Sequence, residues 1–527
     1  MKTSKRPRVW ISIGMGAVFL ISLNISEAAR YYVSAGAKDS GEGSFERPWG
    51  AIETAVDNLK AGDSLYFRGG TYHERLVLKG LKGSEKKPIV ICNFTDEKVV
   101  LSGSRLRVPD GGRTGLVEIE NCDFIQIRGL EIADYKTTSA KAIPCGIQIE
   151  GKGKGIQIRN CEVRGIEQNS SRENANGFGI CAYGNLRTPI DSLVLKGNWV
   201  HDLRTGQSES VVLNGNVVNF SVKDNRVNDC NNIGIDFIGY EGTAPGGFDR
   251  ARGGVCTGNV VYNIDSSSNP AYGGSFEKGG GDRSAAGIYV DGGTDIRIIR
   301  NEVYGCNFGI ELASEHAEKS TDHIEVSNNL IRHNQGPGII MGGYDSKRGT
   351  TRDCVINNNT IYRNDTRRTY GGQIGIQFFF ENNMIINNMI WADKKTKQMI
   401  VHYVEGGSSD QRAFGAGNLI DANVYFCEGD KESIEFGLNA DGVKNRSYPG
   451  LSAWRKAING EDKSMFENPG FWTAAPDIGA EKEAFQLTGQ SSCRDKGRAT
   501  AAGGGFDFFG KKRVHNSRVD IGASEYQ

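Results

Sequence analysis

Short runs of alternating apolar and polar residues recur along most of this chain. Eight of them align on one pattern: IQIRNCEV (156–163), LVLKGNWV (193–200), FSVKDNRV (220–227), GVCTGNVV (254–261), IRIIRNEV (296–303), IEVSNNLI (324–331), CVINNNTI (354–361) and MIINNMIW (384–391). Alternation with a period of two is the signature of a strand. The marker asparagines are Asn160, Asn198, Asn225, Asn259, Asn301, Asn329, Asn359 and Asn388, spaced 38, 27, 34, 42, 28, 30 and 29 residues apart. The unit is therefore 28 to 30 residues long, and the wider spacings carry insertions. Between the asparagines a second column repeats Gly-Ile: GIQIE (146–150), GICAY (179–183), GIDFI (234–238), GIYVD (287–291), GIELA (309–313), GIIMG (338–342) and GIQFF (375–379).

Each unit thus holds at least two short strands and is too small to bury its own apolar face. Stacked units share a continuous interior, which is the logic of a solenoid. The pattern predicts an all-β parallel β-helix. A β-propeller is the rival, but its blades need about 40–45 residues each. Asparagine suits the turn because it tolerates left-handed backbone and can bond to its counterpart one rung away. Glycine at the head of the second strand suits a bend. Helical apolar spacing over 51–59 predicts a short helix that caps the open end, and YPGLSAWRKAI (448–458) reads as another helix. The expected layout is an export signal over 1–28, a cap and first rungs over 29–110, the β-helix core over 111–400, and irregular rungs with a closing segment over 401–527.

Composition narrows the class. The chain has 63 basic and 63 acidic residues among 527, so no net field favours nucleic acid. Lys2, Lys5, Arg6 and Arg8 precede the apolar run VWISIGMGAVFLISL, and Ser26-Glu27-Ala28 offers small residues for cleavage. That is the pattern of a secretory signal, and it implies a secreted, periplasmic or cell-surface protein without a stable membrane span after cleavage. The eleven cysteines include no CxxC pair. They read as small buried residues, not as a disulfide framework or a metal site.

Candidate chemistry gathers on three rungs. In GIDFI, GIYVD and GIELA the isoleucine points inward, so Asp236, Tyr289 and Glu311 form an outward column, with Asp291 two residues along the middle rung. Rungs lie ~4.8 Å apart, which puts the backbones of Asp236 and Glu311 roughly 9–10 Å from each other. Carboxylates at such spacings suit glycoside hydrolysis, one as acid and the other as nucleophile or base. Neighbouring negative charge raises the acid's pKa, as that role requires. Asp291 and Glu311 are the expected pair and Asp236 the third acid. Tyr289, Tyr240, Glu241, Glu315 and His316 are expected to contact sugar. His201 reads as a locally bonded turn residue. Two irregular stretches, GYEGTAPGGFDRARGG (239–254) and DSSSNPAYGGSFEKGGGDRSA (265–285), leave the solenoid nearby and are expected to build a binding wall. Eliminative cleavage of a uronic acid would need other groups. Lys278, Arg283, Lys347 and Arg348 could neutralise its carboxylate, or the acids could hold Ca²⁺. A hydrolase would need no cofactor.

The N-terminal stretch, with its Gly62-Asp63 turn and FRGGTY strand, resembles the opening of secreted bacterial pectin-lyase-like β-helix proteins. The closing segment AFQLTGQSSCRDKG…DFFGKKRVHNSRVDIGASEYQ is similar to theirs. This resemblance implies a right-handed coil and a carbohydrate-active protein with a polysaccharide or oligosaccharide partner. Asp291 with Glu311 or Glu315 resembles the acid pair of β-helix xylosidases. General loop placement is similar to that of chondroitin- and alginate-cleaving lyases and of C5-epimerases. The architecture also hosts non-catalytic glycan-binding solenoids.

Overall fold

The computed structural model describes residues 28–402 except 39, 346 and 370, and 417–527 except 430–432, 439–445, 472, 474–475, 500–503 and 516. Residues 1–27, which carry the signal reading, lie outside the described residues. Three sheets of thirteen strands each run the length of the coil. One turn of the chain visits all three, for example Val194–Lys196, Trp199–Leu203 and Val211–Gly215. The next turn lays Ser221–Lys223, Arg226–Cys230 and Ile235–Ile238 against these, parallel and in register. The unit therefore holds three strands, and the parallel pairing excludes a propeller.

Alternation places one side of each strand in a shared core. Val200, Val227, Val261, Val303, Ile331, Ile361 and Ile390 stack through the second sheet, all fully buried. Ile235 and Phe237, Ile288 and Val290, and Ile310 and Leu312 do so in the third. Each such side chain contributes about 1.5–3 kcal/mol of hydrophobic stabilisation.

The turn between the first and second sheets separates two jobs that one asparagine was expected to do. A buried ladder runs Asn198, Asn225, Asn259, Asn301, Asn329, Asn359, Asn388, Asn423, each side-chain amide donating to the next at 2.9–3.2 Å. The residue just before each ladder position takes the left-handed backbone: Gly197, Asp224, Gly258, Arg300, Asn328, Asn358, Asn387 and Ala422 all have φ between 52° and 68° or close to it. Asn160 belongs to this second set, with φ 50°. Glu162 pairs with Trp199, so the ladder position of that rung is Cys161, whose N–H donates to Asn198 Oδ1 at 3.0 Å. The alignment on Asn160 is thus corrected by one residue.

The glycine column has a steric cause. A Cβ on Gly146, Gly179, Gly234 or Gly309 would lie 2.2–2.6 Å from the carbonyl oxygen of the corresponding residue on the next rung. None of the four has a positive φ. Glycine is required here by close backbone approach, and not by an unusual bend.

Helix Ile52–Asp57 packs Ile52, Ala55 and Val56 into the core at the first rung. At the far end, helix Gly450–Ile458 buries Trp454 against Phe436, ring centroids 4.9 Å apart. The closing segment then folds back along the second sheet, where Phe471, Phe485, Leu487 and Ile521 cover Leu330, Tyr362, Met389 and Trp391. All eleven cysteines are buried free thiols, in keeping with their reading as small buried residues.

Candidate active site

Three rungs of the third sheet set the site. Ile235–Ile238, Ala286–Asp291 and Phe308–Ala313 pair so that Asp236 faces Tyr289 and Tyr289 faces Glu311. The predicted column therefore exists. It is not a solvent face, however. Asp236 is 1% exposed, Tyr289 and Asp291 4%, and Glu311 9%. Loops cover the column and leave a cavity of about 510 Å³.

The loops are ordered and tied down. In the insertion, Asn269 caps the short helix Pro270–Tyr272, and its side-chain amide donates to the carbonyls of Gly206 and Asn231 at 2.7 and 2.9 Å. Ala271 and Tyr272 thereby become part of the cavity wall. In the loop after Ile238, the Asp249 carboxylate accepts from the N–H groups of Gly242 and Ala244 at 2.7 and 2.9 Å. Arg250 clamps the same loop to the solenoid by donating to the carbonyls of Gly292, Gly293 and Ser320. His316 Nε2 meets Glu241 Oε1 at 3.1 Å and joins this loop to the one after Ala313.

The wall carries Glu209, Asp236, Glu241, Asp291 and Glu315, with Tyr183, Tyr272 and Tyr289 among its aromatics. Burial is the main cause of every carboxyl shift here, and like charge adds to it. Asp236 is pushed well up, with Glu209, Glu315 and Glu311 as charged neighbours. Asp291 is pushed well up by burial and by Asp236 and Glu315, against the pull of the Glu315 N–H, which donates to its Oδ1 at 2.8 Å. Glu209 and Glu311 both rise to about 8. Glu315, half-buried, rises too, opposed by the guanidinium of Arg348. Burial and the surrounding acids keep the Tyr289 phenol protonated. At neutral pH the site therefore holds several protonated carboxyl groups.

The other expected residues divide. Arg348 reaches the site by donating to the Glu315 carbonyl at 3.0 Å while stacking over Tyr344. Lys347 and Lys278 are exposed on turns and off the wall. Arg283 is ion-paired with Asp265 and donates to Gln335 at 3.1 Å, so it is not brought to the cavity. Tyr240 lies under Arg250, 4.8 Å from its guanidinium, and is not on the wall. Glu311 shares the column but is not on the wall either. His201 sits on strand Trp199–Leu203, not in a turn, bonded to Asp202 and Glu162. Among the described residues no three His, Cys, Asp or Glu side chains are grouped closely enough to hold a metal ion.

Glu209, Asn214, Tyr183, Tyr272 and Arg113 were not singled out from the sequence. Glu209 lies just before the strand Val211–Gly215 and Asn214 within it, on a rung that opens Ser210-Val211 where its neighbours read Gly-Ile. The signal that could have found them is the residue count between GICAY and GIDFI, which leaves room for one unmarked rung.

Comparison with known proteins agrees with this architecture. Residues 31–192 match the family described as Pel9A-like, right-handed β-helix region, and residues 286–425 match the family described as right-handed β-helix region. The solenoid is thus a right-handed parallel β-helix. The chain belongs to the same family as the uncharacterized protein YwoF of Bacillus subtilis, to which it is 37% identical over 440 residues, 84% of this chain and 88% of that protein. It is also similar to pectate lyase PEL9 of Emericella nidulans, 25% identical over 176 residues. That similarity covers 29% of this chain and 43% of the lyase, less than half of its length. Among solved structures, the GH136 lacto-N-biosidase of Eubacterium ramulus superposes with a TM-score of 0.51 at 13% identity, covering 75% of this chain and 67% of the other. The Pel9A-like match ends at residue 192, before the first acid of the cavity wall. It covers the cap, the early rungs and the wall residues Arg113, Ile143, Asn176, Phe178 and Tyr183, but none of the wall's acids.

Proposed function

We propose that this chain is a carbohydrate-active β-helix enzyme that cleaves a glycosidic bond by hydrolysis in the acidic cavity. The observation that carries the reading is the wall itself. Five carboxyl groups line one partly open cleft, and the cation among its lining residues is Arg113, which meets Glu150 at 3.4 Å. Hydrolysis needs one carboxyl that keeps its proton at neutral pH and one that acts as nucleophile or base. Glu209, at about 8, suits the acid. Asp291 is assigned the second role: burial, Asp236 and Glu315 raise its carboxyl, and the Glu315 N–H, donating to Oδ1 at 2.8 Å, is the contact that opposes that rise and favours the charged form. Asp236 on the adjacent rung sets the field between them. Glu311, the acid expected from sequence, supports the column from beside Tyr289. Elimination would need a cationic neutraliser and base at the sugar; Lys278, Arg283 and Lys347 do not supply them, which leaves Arg113 on the wall and Arg348 beside Glu315 against five acids.

The relatives with assigned chemistry, a pectate lyase and a lacto-N-biosidase, both act on glycans by their names. Their agreement supports a polysaccharide or oligosaccharide substrate here. Export fits such a substrate and rests on the N-terminal pattern. A panel of neutral, amino and uronic glycans tests the reading with two readouts. New reducing ends without ultraviolet absorbance support hydrolysis. Absorbance from a new C=C bond supports a lyase. No cleavage of any glycan leaves a binding solenoid and refutes the proposal.

A further inference from the structure

The wall carries two acceptor atoms that nothing in the protein satisfies. Asp236 Oδ1 and Asn214 Oδ1 are both buried and lack a hydrogen-bond partner, and both residues line the cavity. Asp236 is 1% exposed and Asn214 3%. Leaving such a group unmade costs about 1–3 kcal/mol, so each is a place where a ligand's donor is missing. Asn214 pairs with Ile238 across the rungs, so it stands diagonally from Asp236, about 8 Å away at the backbone.

Both open positions ask for donors, and the surrounding charge says which kind. A sugar hydroxyl would satisfy one acceptor but leave the wall's acids without a counter-charge, held toward their protonated forms by burial and by one another. A uronate would add a further anion to a wall of five acids and one cation, Arg113, which donates one nitrogen to Glu150 at 3.4 Å, lies over the Tyr183 ring at 3.7 Å and leaves its buried Nε open to a neutral sugar oxygen. An ammonium group offers three donors and no acceptor, and its charge favours the ionised form of the acid it meets. It therefore satisfies the orphaned oxygens and brings the positive charge that draws the proton from a buried acid. Hydrogen bonds between ionised partners are roughly twice as strong as neutral ones.

We propose that the sugar held in this cavity is an amino sugar bearing a free ammonium group, received by Asp236 and Asn214. The inference rests on the cavity being the glycan site proposed above, and it names the substrate class. It separates this chain from the uronate chemistry that the name of its pectate lyase relative implies.

Calorimetric titration of the full chain at neutral pH tests it, with trisaccharides of glucosamine and of galactosamine, their N-acetylated counterparts, and a galacturonate trisaccharide. At least one free-amine ligand is expected to bind about tenfold or more tighter than its acetylated form, with no binding of the galacturonate. In Asp236→Asn that preference should fall to near unity while the thermal unfolding midpoint is not lowered. If that variant does not fold, Asn214→Ala serves the same comparison. Equal or tighter binding of the acetylated or uronate ligand, or no binding of either amine, overturns the inference. Hydrolysis of a neutral glycan without amine preference would overturn it and leave the hydrolase reading standing. Amine-selective binding without cleavage would do the reverse.

Discussion

Glu311→Gln should reveal a buried proton through the pH dependence of stability. Glu311 is buried on strand Phe308–Ala313, and loss of hydration, with Glu315 adding to it, raises its carboxyl from 4.5 to about 8. The folded state therefore holds the proton more tightly than the unfolded chain does. Below pH 4.5 both states are protonated and Glu311 imposes no penalty. Above it the unfolded chain releases the proton, and the stability of the fold declines until pH reaches about 8. One pH unit corresponds to about 1.4 kcal/mol, so between pH 5 and 7 the loss is about 2.7 kcal/mol from this residue. Glutamine does not titrate. Urea unfolding of both proteins at several pH values, followed by circular dichroism, gives the stability difference. The variant's advantage should climb by about 1.4 kcal/mol per pH unit from about pH 5 to 8 and level off on either side. A difference that does not change with pH would refute the reasoning. One that changes in the opposite sense would mean that the carboxylate is ionised and stabilised in the fold.

Other consequences can be checked independently. Asn329→Ala removes two donated and two accepted bonds of the ladder, to Asn359, Ile298 and Asn301, and should cost about 3–5 kcal/mol in denaturant unfolding. Asn160→Gly, at the exposed left-handed position, should stay within about 0.5 kcal/mol of wild type, because it has no part in the ladder. Gly309→Ala would set a Cβ 2.2 Å from the Gly338 carbonyl and should destabilise the fold by about 1–3 kcal/mol or more, visible as a lowered melting temperature. Tyr272→Ala removes the part of the wall supplied by the insertion. It should raise KM for the cleaved glycan with little change in unfolding midpoint, and an unchanged KM would show that the insertion does not touch substrate.

Much of the coil was legible because strand alternation and a stacked turn residue repeat in the sequence itself. Asp236, Tyr289 and Glu311 could be put in one column by counting from each Gly-Ile, and the register agrees. Three things were not legible. Asn160 was aligned one residue out, because two adjacent positions of the turn both accept asparagine and only one forms the ladder. Glu209 was missed because its rung opens on Ser210-Val211 and so lacks the Gly-Ile marker by which the other rungs were counted. Burial of the column could not be read either. It depends on where the insertion travels, and that is fixed by long-range bonds from Asn269 to Gly206 and Asn231. Arg348 meets the site through the Glu315 carbonyl, another long-range contact, whereas Arg283 is held by Asp265.

The most direct test of the central claim is cleavage carried out in water enriched in the heavy oxygen isotope, with products read by mass spectrometry. Hydrolysis in the acidic cavity predicts one heavy oxygen on each new reducing end, and loss of at least about a hundredfold in rate for both Asp291→Asn and Glu209→Gln in folded protein. Products without the label and with a new C=C bond, or full activity in both variants, would contradict it.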